Sequence, residues 1–269
     1  IVIDNLSTGK KENLNSKAEF HNVDIRNLDD IRPLFKGVDG VFHLAALPSV
    51  PLSIEKPDQA HDINVNGTLN VFLAAKDSGI RRVIYSSSCS VYGDNASLPQ
   101  RESDQAAPNT PYALHKYIGE QYASLFSQIY KLPIISLRYF NVYGRRMPEA
   151  GPYSGVIKVF SRQKQAGELL TITGDGEQSR DFVFIDDVVR ANLLAMVSDK
   201  VAGGDVINIG SGQNYTINKL ADLFGGEKKY IESRVESRTS LANIGRAEEL
   251  LGWEPSARVD DVLNLISPK

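Results

Sequence analysis

Residues 82–93 read RVIYSSSCSVYG, and residues 111–116 read PYALHK. The first stretch is an apolar strand candidate that ends in a run of serines, and the second opens a helix. Residues four apart on a helix share a face, so Lys116 is expected beside Tyr112, where its charge favours the phenolate form of the tyrosine. A phenolate, together with a hydroxyl from Ser88, suits the removal of a proton from an alcohol while hydride leaves its carbon.

Short apolar segments alternate with helical segments on both sides of these two stretches. This alternation predicts parallel βαβ units and an α/β fold. The strand candidates are 1–4, 19–23, 40–45, 82–87, 134–139 and 205–209. Ligands of an open parallel sheet bind outside the carboxyl ends of its strands. The polar and small residues that follow these strands are therefore expected along the edge where a dinucleotide would lie.

Two longer helices are predicted between the strands. The helix after Asn64 carries apolar residues at helical spacing, namely Val65, Leu69, Phe72 and Leu73. The helix of residues 111–130 has Thr110 as its N-cap and Pro111 as its first residue. Its spacing predicts a buried face made of Ile118, Tyr122, Leu125 and Ile129.

The pattern becomes less regular after residue 141, with glycine-rich turns at 174–176 and 203–204. We predict a first lobe of residues 1–141, to which residues 182–212 return, and a smaller lobe of residues 142–269. The chain opens inside an apolar strand and carries no glycine-rich phosphate loop. We therefore expect a preceding strand, glycine-rich turn and helix that this sequence does not include.

Composition disfavours several classes of protein. The 269 residues are 42% hydrophobic and 23% charged, as is ordinary for a soluble globular protein, and the net charge of −3 suggests neither a nucleic-acid nor a membrane partner. There is no apolar run of about 18 residues and no secretory signal. The single cysteine, Cys89, rules out an internal disulfide and suits a cytoplasmic location. The histidines show no metal-ligand spacing, so no metal site is expected.

Acidic residues follow the first two strand candidates. A carboxylate at the end of the second strand of a dinucleotide fold binds ribose hydroxyls and repels a 2′-phosphate. Asp4 stands in that position, which favours NAD over NADP. Asp24 and Ile25 are placed to contact the adenine, and residues 44–46 (LAA) offer small side chains that let a cofactor approach the backbone.

Six motifs occur in an order that resembles one family. They are DNLSTG at 4–9, HLAA at 43–46, NVNGT at 64–68, SSSCSVYG at 86–93, PYALHK at 111–116 and LRYFNVYG at 137–144. With SLANIGRAEELLGW at 240–253, they resemble the extended short-chain dehydrogenase/reductases, and within them the UDP-hexose 4-epimerases. The resemblance implies a Rossmann-like doubly wound parallel sheet with a smaller C-terminal substrate-binding lobe, bound NAD, a UDP-sugar substrate and a homodimer.

The resemblance also implies roles for individual residues. The catalytic positions are Ser88, Tyr112 and Lys116. The cofactor positions are Asp4, Asn5, Ser7, Thr8, Gly9, Asp24, Ile25, Leu44, Ala45, Ala46, Asn64, Tyr112, Lys116 and Phe140. The nucleotide-sugar positions are Ser88, Asn141, Gly155, Val156, Thr171, Arg180, Arg234 and Ser240. In this family a small residue at the position of Ser240 makes room for a 2-acetamido group, so acceptance of N-acetylated hexoses is expected.

Other interpretations stay open. Dehydratases on the same scaffold place Asp-Glu where this chain has Cys89 and Ser90, so dehydration is disfavoured. Relatives that epimerise at C3 and C5 use a cysteine at the place of Ser90, and we interpret Cys89 as a packing residue. UDP-glucuronate 4-epimerisation or decarboxylation and a non-catalytic NAD-binding scaffold remain as alternatives. Arg180 could pair with Asp181 or Asp187 in place of a diphosphate.

The homodimer that the resemblance implies would use a two-fold four-helix interface. Its helices are residues 64–78 and 112–130, with Tyr117 and Leu125 as candidate contacts.

Overall fold

A computed structural model describes residues 1–94, 97–147, 155–233 and 238–261. The chain forms two compact units that are interleaved in sequence. The first comprises 1–87, 110–136 and 201–206, and the second comprises 88–109, 137–200 and 207–269. These units follow from packing, whereas the predicted lobes 1–141 and 142–269 are defined by the ligand that each would bind. The predicted division into lobes stays a prediction.

The described residues form short strands and mostly short helices. The strands are β1 (Val2–Ile3), β2 (Phe20–His21), β3 (Gly40–His43), β4 (Arg82–Ser88), β5 (Ile134–Tyr139), β6 (Asn141–Tyr143), β7 (Leu170–Thr173), β8 (Ser179–Phe184), β9 (Val206–Ile209), β10 (Asn214–Thr216) and β11 (Lys228–Ile231). The helices are α1 (Leu28–Ile31), α2 (Val50–Glu55), α3 (Pro57–His61), α4 (Gly67–Asp77), α5 (Pro111–Tyr130), α6 (Val156–Gln165), α7 (Ile185–Val197), α8 (Ile217–Phe224) and α9 (Gly245–Leu251).

The strands form four sheets. β1 and β2 form a parallel pair, and a four-stranded sheet has the order β3-β4-β5-β9, in which β3 and β4 run parallel. The second unit also has a sheet of order β10-β8-β6, in which β8 is antiparallel to β10 and parallel to β6, and a parallel pair of β11 and β7. Each of the six predicted strands is present, and most are shorter than predicted. The α/β class with parallel strands is confirmed.

The core of the first unit packs α4 and α5 against β4. Phe72 of α4, Tyr85 of β4 and Phe126 of α5 form its centre, with ring centroids of Phe72 5.8 Å from Tyr85 and 5.7 Å from Phe126. The predicted apolar face of α4 is confirmed, because Val65 and Phe72 are buried and Leu69 packs against this core. The helix itself begins later than predicted, since residues 62–66 form a π-helical turn before it.

The predicted buried face of α5 is partly wrong. Leu125 and Ile129 are 48% and 63% exposed. The residues that α5 buries are Ala113, His115, Lys116, Gly119, Glu120, Ala123 and Phe126. The reason is close packing on β4: a Cβ added to Gly119 would lie 2.2 Å from the Tyr85 hydroxyl oxygen. A helix that approaches a strand this closely has no room for a side chain at position 119, so the buried face is centred on Gly119 and not on Leu125 and Ile129.

The second unit has its own apolar core. Phe160 of α6, Ile172 of β7 and Phe224 of α8 are part of it, and the rings of Phe160 and Phe224 meet edge to face at 5.7 Å. Gly174 and Gly176 adopt φ values of 66° and 74°, so the glycine-rich turn predicted there is confirmed.

Across the described ranges, no helix combines the length and apolarity that a membrane crossing requires.

The contact between α5 and β4 generates a stability prediction. Gly119→Ala is expected to lower the free energy of unfolding by about 1–3 kcal/mol, because the added methyl overlaps the Tyr85 ring and outweighs the better helix propensity of alanine. Urea unfolding measures the change. The matched control is Gly245→Ala, whose Cβ would meet the Asn243 side-chain oxygen at 3.2 Å. Equal midpoints for the two variants would contradict the close contact.

Candidate active site

The first turn of α5 fixes the position of Tyr112. The Thr110 hydroxyl accepts a hydrogen bond from the Ala113 N–H at 3.2 Å, and Pro111 is the first helical residue, so the predicted N-cap is confirmed. The Tyr112 N–H, which has no partner inside the helix at this position, donates to the Ser53 hydroxyl at 3.1 Å. Two side-chain hydroxyls, those of Thr110 and Ser53, therefore hold the start of the helix.

Lys116 lies one turn further along the same face. Its side chain is 4% exposed, and its Nζ donates to the Ser86 carbonyl at 2.6 Å. The Nζ lies 5.9 Å from the centre of the Tyr112 ring and 5.2 Å from that of Tyr85. The structure thus brings Tyr112 and Lys116 together, as the i, i+4 spacing predicted.

Burial controls the charge of Lys116. Desolvation lowers the pKa of its ammonium group to about 8, and the nearby Glu120 acts in the opposite direction. Glu120 is itself buried and accepts a hydrogen bond from the Ser87 hydroxyl. Because an ammonium group has three donors, the bond to Ser86 leaves donors for a further hydrogen-bond acceptor.

Ser88 ends β4 and belongs to the second unit. Its Oγ accepts hydrogen bonds from the Ser90 N–H at 3.2 Å and the Ser90 hydroxyl at 2.9 Å.

The next residue, Cys89, is half-buried. Desolvation raises the pKa of its thiol to about 12, while the charge of Arg180 acts in the opposite direction. The thiol is therefore neutral at ordinary pH, which supports its interpretation as a packing residue.

Asp4 follows β1 and shapes the turn after it. Its Oδ1 accepts a hydrogen bond from the Leu6 N–H at 2.6 Å. Gly9 packs against the same carboxylate, so closely that an added Cβ would lie 2.8 Å from Oδ2. Between these residues, Ser7 and Thr8 are exposed. The predicted residues 4–9 thus form one turn around a carboxylate.

Asp24 is held by an arginine that the sequence analysis did not single out. Arg26 donates to both carboxylate oxygens, at 3.0 and 2.8 Å, and these bonds hold the pKa of the Asp24 carboxyl well below its usual range. Asn5 donates to the same carboxylate at 2.8 Å, and Ile25 is buried behind it. The Asp-x-Arg spacing is the signal that could have identified Arg26.

Asn64 acts on the loop after β3. Its side-chain amide accepts from the Leu47 N–H at 2.7 Å and donates to the Leu47 carbonyl at 3.1 Å, while the side chain is almost fully buried. Both bonds fix the backbone that carries Leu44, Ala45 and Ala46, of which Leu44 and Ala45 are exposed. Asn64 therefore positions this loop through its backbone.

Two predicted residues adjoin each other after β5, in the second unit. Phe140 is buried, donates its N–H to the Ile209 carbonyl at 3.0 Å and packs against Tyr92 with ring centroids 6.4 Å apart. The Asn141 side chain donates to the Asp181 carbonyl at 2.9 Å and to the Ser240 hydroxyl at 3.3 Å. Asn141 and Ser240, which are 99 residues apart in sequence, are thus brought together.

Arg180 lies on β8 beside this pair. Its Nη1 donates to the Ser179 carbonyl at 2.9 Å. The alternative in which Arg180 pairs with Asp181 or Asp187 stays open. The Asp181 carboxylate accepts from backbone groups and Ser211, and the Asp187 carboxylate accepts from Arg190 and Ser256.

The remaining predicted nucleotide-sugar residues lie on other elements. Gly155 is the extended N-cap of α6, and Val156 is its first residue. Thr171 lies on β7, where its hydroxyl accepts from the Gln163 side chain at 2.7 Å and its N–H donates to the same side chain at 3.0 Å. Arg234 lies outside the described residues.

The residues of the first unit fit a dinucleotide. The Asp4 turn uses one carboxylate oxygen for Leu6 and holds the other against Gly9, a cradle that a Cβ would fill. A carboxylate in such a turn suits a ribose diol. The buried Lys116 ammonium retains donors suited to hydroxyl groups. These are the two groups that would hold NAD.

Comparisons with known proteins agree with this geometry. The sequence matches the family described as NAD dependent epimerase/dehydratase over residues 1–210. A Methanocaldococcus jannaschii protein with the provisional name UDP-glucose 4-epimerase is 40% identical over 264 residues, which cover 95% of this chain and 85% of the relative.

Two solved structures are similar throughout. The UDP-glucose 4-epimerase of Thermotoga maritima, crystallised with UDP-glucose, has a TM-score of 0.94 and 37% identity, with coverage of 98% of this chain and 88% of that one. The UDP-N-acetylglucosamine 4-epimerase of Methanobrevibacter ruminantium M1, in complex with UDP-N-acetylmuramic acid, has a TM-score of 0.92 and 38% identity, with coverage of 97% and 86%. This similarity confirms the Rossmann-like α/β fold. The chain therefore belongs to the NAD dependent epimerase/dehydratase family and is an NAD-dependent enzyme.

Proposed function

We propose that this protein is a UDP-hexose 4-epimerase that interconverts UDP-glucose with UDP-galactose and UDP-N-acetylglucosamine with UDP-N-acetylgalactosamine. The observation that carries the proposal is the placement of Lys116 on the same face of α5 as Tyr112, with its Nζ 5.9 Å from the ring centre. Family membership supports the class of reaction, and the similar proteins that are named as UDP-sugar 4-epimerases support the class of substrate.

Tyr112 is the proposed proton acceptor and donor at the sugar 4-hydroxyl. A phenol has an ordinary pKa of about 10 and is a poor base at neutral pH without a nearby cation. Lys116 supplies that cation in a desolvated position, where its attraction for a phenolate is weakly screened. The same tyrosine returns the proton when the 4-keto sugar is reduced, so the reaction has no net proton change.

Ser88 is the proposed hydrogen-bond donor to the sugar 4-oxygen. Its Oγ already accepts from the Ser90 N–H and hydroxyl, so its own proton is directed elsewhere. A donor aimed at an oxygen that becomes a carbonyl stabilises the developing charge. Bound NAD supplies a reversible hydride acceptor for the sugar carbon.

Arg180 is the proposed anchor of the UDP diphosphate. A guanidinium group makes charge-assisted bonds to phosphate oxygens, and here the Ser179 carbonyl holds it on β8. Arg234 is proposed as a second diphosphate ligand, the role that the resemblance implies. Anchoring at the diphosphate leaves the sugar free to turn, which a 4-epimerase requires because hydride must return to the opposite face of the same carbon.

Ser240 is proposed to determine whether the site accepts N-acetylated as well as plain UDP-hexoses. It is 6% exposed and has a small side chain, and its hydroxyl accepts hydrogen bonds from Asn141 and from the Asp181 N–H, each at 3.3 Å. A small residue at this position is consistent with room for a 2-acetamido group. The similar structure of a UDP-N-acetylglucosamine 4-epimerase supports acceptance of N-acetylated sugars.

Tyr112→Phe tests the proton-transfer role. Removal of the phenol oxygen is expected to lower turnover of UDP-glucose by roughly a thousandfold, within the range typical of general acid–base catalysis. Coupled spectroscopic assays measure the rate, and circular dichroism checks the fold. Tyr117→Phe makes the same chemical change on the same helix and should keep turnover near that of the unmodified protein. Activity retained by the Tyr112 variant would exclude the proposed mechanism.

Lys116→Met tests the electrostatic role through the pH profile. Without the ammonium charge the phenol regains a pKa near its ordinary value of about 10. Turnover at pH 7 should therefore fall by roughly a hundredfold or more and recover in part as the pH approaches 10. Lys131→Met, at the exposed end of α5, is the control. A uniform loss at every pH would assign Lys116 a purely structural role.

Ser240→Tyr tests whether a small residue at position 240 allows N-acetylated substrates to bind. The bulky ring is expected to lower turnover of UDP-N-acetylglucosamine relative to UDP-glucose by roughly tenfold, as expected when a filled pocket excludes a substituent. Ser240→Ala removes the same hydroxyl while keeping the space, so the ratio of the two turnovers should not change. An unchanged ratio in the tyrosine variant refutes this assignment, and preferential turnover of UDP-glucuronate would replace the hexose assignment.

A further inference from the structure

The Asp181 carboxylate is a buried acid of the second unit that accepts four hydrogen bonds. Asp181 has no exposed surface. Its Oδ1 accepts from the Ser211 N–H at 2.6 Å and the Ser211 hydroxyl at 2.7 Å, and its Oδ2 accepts from the N–H groups of Gly212 and Ala242, both at 3.0 Å. One side chain thus holds two separate backbone segments.

The backbone of Asp181 makes a second set of contacts. Its carbonyl accepts from the Asn141 side chain at 2.9 Å, and its N–H donates to the Ser240 hydroxyl at 3.3 Å. Arg180 is the preceding residue on β8. Three residues proposed to bind the nucleotide sugar, from three parts of the sequence, therefore meet at this one position.

The residues around the Asp181 carboxylate are closely packed. A Cβ added to Gly210 would lie 2.5 Å from the Ala242 Cβ and 2.9 Å from Asp181 Oδ2. Burial raises the pKa of the Asp181 carboxyl, while the donors from Ala242, Ser211 and Gly212 lower it. Both oxygens serve as acceptors, so an uncharged side chain of the same shape cannot satisfy all four donors.

We infer that Asp181 is a positioning residue for nucleotide-sugar binding. Its buried carboxylate holds the 211–212 turn and the Ala242 backbone in place, and it thereby fixes the positions of Asn141, Arg180 and Ser240. This inference deepens the proposed function and rests on it. Ala242 follows Ser240 by two residues, and the N–H of Ser240 donates to the Ser179 carbonyl at 3.1 Å. A shift of this segment would therefore be transmitted to the hydroxyl that Asn141 contacts.

The second unit contains a matched control. Asp187 is 1% exposed, and its carboxylate also accepts several bonds, from Ser256 N–H at 2.9 Å, the Ser256 hydroxyl at 2.7 Å and Arg190 at 2.7 Å. It fastens residues 256–257, which have no proposed ligand role. Asp181→Asn and Asp187→Asn make the same chemical change in equally buried sites and differ in what the carboxylate holds.

The test compares the two variants as NAD-loaded full-length protein. Asp181→Asn turns an amide N–H₂ toward backbone N–H donors, and it should raise the KM for UDP-glucose and the Kd for UDP, measured by titration calorimetry, by roughly tenfold with kcat changed far less. Asp187→Asn should lower the melting temperature while leaving the KM and the Kd unchanged. Ser211→Ala, which removes only one donor, should raise both constants by roughly threefold.

Three outcomes decide the question. Unchanged KM and Kd in Asp181→Asn would overturn the inference, and so would an equal rise in both asparagine variants, because that rise would reflect general destabilisation. If Asp181→Asn does not fold, unchanged constants in Ser211→Ala would overturn it. A wild-type protein without epimerase activity would refute the proposed function, yet the UDP titration would still decide the role of Asp181.

Discussion

The buried ammonium group of Lys116 is the constraint on which the first unit depends. Burial of a charge is costly unless hydrogen bonds compensate it, and here the Ser86 carbonyl at 2.6 Å provides one such bond. That bond needs α5 to lie close to β4, which Gly119 permits by leaving room for the Tyr85 hydroxyl. The packing of helix on strand and the chemistry proposed for Tyr112 thus share one geometric requirement.

The second unit also contains a buried charged group, the Asp181 carboxylate, at a point where several chain segments meet. Asp181 joins β8 to the 211–212 turn and to Ala242, and its own backbone holds Asn141 and Ser240. Both charges are therefore surrounded by backbone groups in addition to side chains. Backbone donors and acceptors belong to the fold itself, so a site built on them keeps its shape without a bound ligand.

Sequence reasoning identified these elements where a strong local signal existed. Thr110 and Pro111 marked the start of α5, and the i, i+4 spacing placed Lys116 beside Tyr112. Apolar periodicity failed on the same helix, since Leu125 and Ile129 are exposed. Periodicity counts large apolar side chains, whereas the face of α5 that packs on β4 also buries Ala113, Gly119 and Ala123. The strands of the second unit are short and mixed in polarity, so no alternation predicted β7 or β8.

The amino-acid sequence by itself determined the α/β class, the family and the residue types available for catalysis, because these depend on order and spacing along the chain. Only the tertiary structure decided which polar groups meet. It showed that Asn64 binds the Leu47 backbone and that Asn141 binds Ser240 across 99 residues. Such pairs carry no local signature, since a hydrogen bond between distant segments exists only after packing has excluded water and fixed both partners.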